Sequence, residues 1–321
     1  VARVSRFGDA SAMVLARAPI RPPRGNEVVV RVTHASLGAT DLLARRGGYI
    51  LHPVPGFVTG YDFVGELLTE SAVSLALGLR SGAVVAGVLP LMGAHATFLT
   101  LAPTLLVAVP PGLDPATAAV LPLDAITAAH ALELAGPARS VLVQGASGAV
   151  GALAAQLALR TGATVVGTAS ARTADRVRAL GAHVVDHTDR DWPALVRQAA
   201  GGAVDAVIDH TGTERDRDVL AADGVLVRTG FAGRAGHERS DALRGAAAAA
   251  RDRRERVCSA PLYVATRRNA YRRTLARLLA DAADGSLRVA EPLVQPLADI
   301  WEAHRAAEAA PAGAKVVLTT A

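Results

Sequence analysis

The run at 141–151, VLVQGASGAVG, restricts the fold more than any other part of the chain, because it leads directly into an apolar stretch at 150–159. A short β-branched strand that turns on glycine into a helix leaves the helix's free N-terminal amides at the strand's end, where an anion binds. Measured against G-x-G-x-x-G, the run reads A-x-G-x-x-G. Ala146 holds the first position, Gly145 supplies turn freedom one residue earlier, and Gly148 and Gly151 lack the Cβ that would obstruct a pyrophosphate or the helix packing. In a chain with 30 glycines such a pattern arises easily by chance. Its surroundings answer that objection. Short β-branched runs at 141–143, 164–168, 183–185, 206–209 and 225–229 alternate with helical patterns such as 150–159 and 174–180. That alternation predicts a doubly wound parallel sheet covered on both faces, with Ala146, Ser147, Gly148, Val150 and Gly151 holding a dinucleotide.

The end of the second strand bears on which dinucleotide. An acid is expected there for the ribose hydroxyls of NAD, whereas NADP sites use cationic or hydroxyl groups. The chain reads Gly167, Thr168, Ala169, Ser170, Ala171, Arg172, and the first acid is Asp175. Ser170 donates to a 2′-phosphate and Arg172 pairs with it, with Arg176 one turn further on as a second cation. The expected cofactor is NADPH.

Before residue 113 the pattern is different: apolar runs at 27–32, 63–68, 83–89, 98–101 and 105–109 are broken by Gly and Pro, predicting an all-β unit. Pro110, Pro111 and Gly112 end it, and Asp114 and Pro115 then offer an N-cap and a first helical residue. Beyond 235 the chain turns Ala- and Arg-rich, compatible with an excursion or a surface helix. A last strand at 262–265, a helix at 271–279 and strand-like runs at 287–297 and 315–319 follow, and this tail is expected to return to the first domain. The division is 1–113 and 269–321 for the catalytic domain and 114–268 for the dinucleotide domain.

Composition narrows the function classes. At 321 residues and 51% hydrophobic the chain can bury two cores, while only 3% aromatic content requires those cores to be built from small side chains. Mean hydropathy is +0.29, yet no uninterrupted apolar run of about 20 residues stands out, so no membrane span is expected. One cysteine, Cys258, excludes an intramolecular disulfide framework and a multi-thiolate zinc site. The start shows no secretory pattern, which predicts a cytoplasmic protein. Net charge is +5, carried by arginine with Lys315 as the one lysine, but Asp252 and Glu255 interrupt the cluster at 251–256 and few aromatics are present to stack bases. Nucleic-acid binding is not expected.

Taken in order, 30–41 (VRVTHASLGATD), 60–66 (GYDFVGE), 121–132 (LPLDAITAAHAL), the glycine loop, 181–186 and the closing 314–318 (AKVVL) resemble the medium-chain dehydrogenase/reductase superfamily, most closely its zinc-free quinone oxidoreductase and enoyl reductase branch. The resemblance covers almost the whole chain and implies a GroES-like β-rich catalytic domain beside a Rossmann domain. It also locates departures. Gly38 stands where alcohol dehydrogenases carry a zinc-binding Cys and many quinone reductases an Asn, Gly60-Tyr61-Asp62 stands in place of G-H-E, and the four-cysteine lobe is missing. No metal ligands are therefore assigned.

Tyr49 matches a tyrosine that lines the cleft or donates a proton in such reductases, Tyr61 falls at a former zinc-ligand position, and Thr127 matches a threonine beside the nicotinamide. His210, Gly230 and Phe231 follow the fourth and fifth strands of the doubly wound sheet, where ligands bind, and are assigned to the cofactor. His34 and His130 read as packed histidines, Asp62 as a structural acceptor, and Asp205 to Asp209 as an ordinary strand edge. The implied activity is a metal-free, NADPH-dependent hydride addition to a carbonyl-conjugated C=C bond of a small apolar substrate, placed in secondary metabolism. A reductive cyclase acting on a conjugated polyene, a quinone oxidoreductase and a non-catalytic NADPH-binding protein are the alternatives. The resemblance also implies a homodimer through the 262–265 strand, and the arginines at 251–256 offer a surface for an acidic acyl-carrier protein.

Overall fold

The computed structural model describes every residue except Ala232, Ala235 and Ala321. It divides into two compact units, Val1–Ile126 with Ala260–Ala321, and Thr127–Ser259. The first unit opens with the antiparallel pair β1 (Ala2–Val4) and β2 (Met13–Leu15), followed by the long β3 (Val28–Leu37). Val28, Val30 and Val32 are buried on one face of β3, the period of two that a half-buried strand requires. Helix α1 (Ala39–Arg45) then precedes β4 (Asp62–Leu67), α2 (Ala72–Ala76), β5 (Val84–Val88), β6 (Phe98–Leu101) and β7 (Leu106–Ala108). The expectation of an all-β front part therefore misses two helices of seven and five residues, too short to show a helical period in the sequence.

Asp114 accepts from the Thr117 backbone amide at 2.8 Å and caps α3 (Pro115–Ala135). This 21-residue helix corrects the expectation that no segment is long and apolar enough to cross a membrane: by length and composition α3 is, although Asp124 and Glu133 punctuate it. Of its most apolar window, 61% is buried inside the protein, as in the core helix of a folded domain.

The second unit is built on β8 (Ser140–Val143), α4 (Ala149–Leu159), β9 (Thr164–Ala169), α5 (Ala174–Arg178), β10 (His183–Asp186), α6 (Trp192–Ala200), β11 (Val204–Asp209), β12 (Leu220–Arg228), α7 (Glu238–Ala249) and β13 (Glu255–Val257). Its six strands pair in the order β10-β9-β8-β11-β12-β13, all parallel. The order reverses at β8, so the connections leaving the paired strands β8 and β11 run to opposite sides, at the switch point where ligands bind in doubly wound sheets. Leu142, Val166, Val207 and Leu226 from four adjacent strands fill the core on one face with Trp192 and Val196 of α6.

The tail returns to the first unit as α8 (Ala260–Thr266), α9 (Arg268–Ala283), β14 (Leu293–Pro296), α10 (Ile300–Ala309) and β15 (Val316–Thr319). β15 pairs antiparallel with β3 and parallel with β14, closing a sheet in the order β14-β15-β3-β4-β5-β7, with β6 also on β3. Ile300 and Ala303 of α10 pack with Leu37, Val316 and Leu318.

Further expectations need correcting. The strand predicted at 262–265 is helix α8, with Pro261 in its first turn, and the strand at the end of the parallel sheet is instead β13. The strand-like run at 287–297 is a strand only at Leu293–Pro296. The units exchange at 126/127 and 259/260, where the sequence placed the boundaries at 113/114 and 268/269. α3 remains with the first unit for its first three turns, and α8 belongs to that unit too.

Candidate functional site

In the second unit, β8 ends and the chain turns at Gly145, whose φ of +61° lies in the left-handed region. A Cβ there would strike the His210 imidazole, so the glycine serves both the turn and the approach of the β11 loop. Gly151 sits one turn into α4, and a Cβ on it would collide with the Gly145 carbonyl oxygen and crowd Cα of Ala146. Gly148 is the N-cap of α4, extended at φ −75° and ψ 167°. The amides of the first turn of α4 have no intrahelical acceptors and carry the positive end of the helix dipole, the arrangement that receives a diphosphate.

Ala146 in place of the first glycine has a local reason. Its methyl is fully buried and takes the space above Gly167 of β9, where a Cβ would clash with it. The glycine missing from the loop has in effect been moved across the sheet.

The polar groups behind the loop are tightly connected. The Gly145 amide donates to Thr168 Oγ1 at 2.9 Å, Thr168 Oγ1 donates to Gln144 Oε1 at 2.6 Å, and Gln144 Nε2 donates to Asp216 Oδ1 at 2.7 Å. Asp216 is fully buried and receives Arg228 Nη1 at 2.9 Å, which also reaches Asp209 at 2.6 Å. Asp209 in turn caps the loop after β11 by accepting from the Thr211 and Gly212 amides at 2.8 Å each. Asp209 is thus the partner of a buried arginine, not an ordinary strand edge. Burial and the neighbouring Asp209 push the Asp216 carboxyl up to about 7.

The other assigned residues of this unit are placed as follows. Ser170 follows β9 and its hydroxyl lies 3.2 Å from that of Thr173. Arg172 is exposed two residues later. His210 is exposed over Gly145, and Gly230 lies against the His210 backbone, so the ends of β8, β11 and β12 converge. Phe231 instead turns its ring onto Gly245 of α7. Thr127 is half-buried on α3, and its carbonyl accepts from the Cys258 thiol at 3.6 Å. Burial pushes that thiol up to about 12, so it stays protonated and unreactive.

In the first unit, the Tyr49 and Tyr61 hydroxyls lie 2.6 Å apart, with their rings edge to face. Tyr61 is 1% exposed, whereas Tyr49 is partly open. Burial raises both phenols above their ordinary range, so neither ionises near neutrality. Exposed Ile50, Leu51, Val54 and Leu91 give this part of the surface an apolar character. Asp41 accepts from the Gly38 amide at 2.9 Å and the Gly60 amide at 2.8 Å, fixing the two turns that precede α1 and Tyr61. Asp62 accepts from Ser36 Oγ and from the Leu123 amide, as expected of a structural acceptor.

Lys315, which no sequence pattern marked as part of a site, is 9% exposed, with Nζ 3.0 Å from Asp124 and 3.8 Å from Asp62. Its side chain runs beneath Gly38, where a Cβ would lie 3.1 Å from Cε. Among the missed residues, Arg228 offered a signal. It is a charged residue inside the apolar run at 225–229, which a buried strand tolerates only with a buried partner.

Residues 180–318 match a family model described as zinc-binding dehydrogenase. The chain is 33% identical over 224 residues to the synaptic vesicle membrane protein VAT-1 homolog of Danio rerio, covering 65% of this chain and 44% of that protein. It is 33% identical over 220 residues to the trans-enoyl reductase himH of Aspergillus japonicus, covering 63% of this chain and 62% of that one. Among solved structures, the quinone oxidoreductase of Coxiella burnetii superposes with a TM-score of 0.80 at 26% identity over 100% of this chain and 98% of the other. In sequence and fold the chain is similar to proteins of the medium-chain dehydrogenase/reductase superfamily. Its relatives in the quinone and enoyl reductase-like branch are oxidoreductases, and the superfamily uses nicotinamide cofactors. The chain spans less than two thirds of the length of the first two relatives named.

The family matched at 180–318 is described as zinc-binding. At the positions of the dehydrogenase ligands the chain offers Gly38, with no donor side chain, and Tyr61, a phenol that stays protonated. An ammonium group runs beneath Gly38, where a second cation would be repelled. Among the described residues, no three of His, Cys, Asp and Glu gather in a group able to hold a metal ion. Zinc does not fit this donor set. The dinucleotide does fit the second unit: the Gly145 turn, the close packing at Gly151 and the open first turn of α4 are the cradle it requires.

Proposed function

We propose that this medium-chain reductase uses NADPH, without a metal, to add hydride to a carbonyl-conjugated C=C bond of an apolar substrate. The observation that carries the reading is the phenol pair at the vacated ligand position: where a Lewis acid would polarise an alcohol, the first unit presents hydrogen-bond donors. Such donors suit an acceptor that is already electrophilic. When bound, the reduced nicotinamide supplies the hydride. Tyr49 donates toward the carbonyl oxygen as it takes on enolate charge, and Tyr61 donates to the Tyr49 oxygen, leaving the outer proton free to point at substrate. The raised phenols keep these protons in place at neutral pH. Arg172 and Ser170, with no acid before Asp175, support the 2′-phosphate of NADPH over the ribose hydroxyls of NADH. Exposed Ile50, Leu51, Val54 and Leu91 favour an apolar substrate body.

The test is NADPH oxidation with a 4-deuterated cofactor across enones, quinones and conjugated polyenes. Deuterium on the β-carbon of an enone is the expected result. Deuterium at a new ring-junction carbon would assign reductive cyclisation instead, reduction of quinones alone would assign a quinone reductase, and no transfer to any acceptor would leave a binding protein. A cytoplasmic homodimer completes the proposal, formed through β13, whose Val257 is exposed, now that 262–265 is helical. Sedimentation of Val257→Lys as a monomer is the expected outcome, and an unchanged dimer would overturn it.

A further inference from the structure

Asp216 is fully buried, yet one unbroken series of hydrogen bonds through two other side chains joins it to the glycine loop: Asp216 Oδ1, Gln144 Nε2 and Oε1, Thr168 Oγ1, and the Gly145 amide, at 2.7, 2.6 and 2.9 Å. The direction of each bond follows from the one before. Asp216 accepts from Arg228 on Oδ2 and offers Oδ1 as a second acceptor, so Gln144 turns its NH2 to Asp216 and its oxygen to Thr168. That oxygen takes the Thr168 hydroxyl proton, which leaves the Thr168 lone pairs for the Gly145 amide. Ala146 N also donates to the Thr168 carbonyl at 2.9 Å, so Thr168 holds two consecutive amides of the turn.

We propose that Asp216 is a positioning residue for the dinucleotide loop, acting through Gln144 and Thr168 on the Gly145 amide. This rests on the reading of that loop as a dinucleotide site. The series matters because Gly145 carries the turn's left-handed φ and its carbonyl receives the Gly148 amide at 2.9 Å. A loosened Gly145 would therefore move the N-cap of α4. Arg228 anchors the far end, holding Asp216 and Asp209 together and lying 3.7 Å from Glu255, so the loops after β8 and β11 share one buried cation.

The test is a double-mutant cycle in binding, with dissociation constants for NADPH and NADH measured by cofactor fluorescence on Asp216→Ala, Thr168→Val, their combination and Thr168→Ser. Each of the first two should weaken both dinucleotides about tenfold, since each removes one buried hydrogen-bonded link. The combination should be no weaker than about twofold beyond either alone, because one series is broken only once, and Thr168→Ser, which keeps the hydroxyl, should bind within about twofold of wild type. Thermal melts establish that the variants are folded, and Thr168→Val leaves the ion pairs intact should Asp216→Ala not fold. Losses that multiply in the combination, or wild-type affinity in Thr168→Val or in a folded Asp216→Ala, would overturn the proposal. A wild type without preference for NADPH would sink only the 2′-phosphate assignment, since the pyrophosphate is common to both cofactors. A wild type that binds neither dinucleotide would remove the proposal together with the reading beneath it.

Discussion

At the scale of single residues, the glycine loop shows how far a sequence pattern carries chemistry. Its strand, turn and helix were legible because each needs a particular residue type, and even the departure at Ala146 is explained by one further glycine, Gly167. Arg172 is a cation where an acid would serve NADH, and its proposed role has a direct test. Arg172→Ala should raise the dissociation constant for NADPH about 10- to 100-fold, the worth of one or two charge-assisted bonds, while changing NADH by less than about threefold. Equal losses for the two cofactors in a fluorescence titration would refute the assignment. Tyr49→Phe should lower kcat on the reduced acceptor about 100-fold with KM little changed, since the lost bond strengthens only as charge develops. A variant with full kcat would remove Tyr49 from the reaction. What the sequence could not display is which distant polar residues meet. Gln144, Asp216 and Arg228 belong to different stretches of chain, and nothing in their local spacing announces a shared network.

At the scale of elements, alternating runs gave most strands of both sheets to within a few residues, whereas the error at 262–265 illustrates the limit of short apolar runs. Leu262 to Ala265 has a strand's composition, but an isolated run of four residues contains too little period to separate strand from helix. Packing between elements supplies its own predictions. Tyr271 of α9 is fully buried, donating to the Leu105 carbonyl at 2.9 Å and accepting from the Val88 amide at 3.0 Å, and so ties the helix to β5 and the start of β7. Tyr271→Phe keeps the ring and leaves both backbone groups unpaired, which should cost about 1–3 kcal/mol in a urea melt. On the other side of that unit, α10 buries His304 against α1, where Nδ1 accepts from Arg45 Nη1 at 3.2 Å. Burial and nearby positive charge hold its pKa down to about 2, below the ordinary 6.5. The unfolded chain therefore binds the extra proton between those values. This residue's contribution to stability is complete above about pH 6.5 and is lost as the pH falls, by up to about 1.4 kcal/mol per unit. His304→Gln, which retains an acceptor for Arg45, should flatten the melting temperature against pH between 6.5 and 4; an unchanged slope would count against it.

At the scale of the whole molecule, the chain leaves one unit at 126 and regains it at 260, so β14 and β15 complete a sheet begun more than two hundred residues earlier. The return of the tail was legible from family order, but the exact crossings were not, since a helix such as α3 shows no break where one unit gives way to another. The net positive charge is likewise a property of surface arginines, with one exception. Every exposed basic side chain in the described residues is an arginine or histidine, and the single primary amine among the side chains, Lys315, lies sealed between Asp124 and Asp62. The molecule consequently carries a built-in reporter of its own opening. An acylating reagent selective for lysine should leave residue 315 unmodified in the native protein and label it at the rate at which the surrounding sheet unfolds, so that mass spectrometry of one peptide would time the opening of the first unit; rapid labelling under native conditions would show that the amine is not sealed.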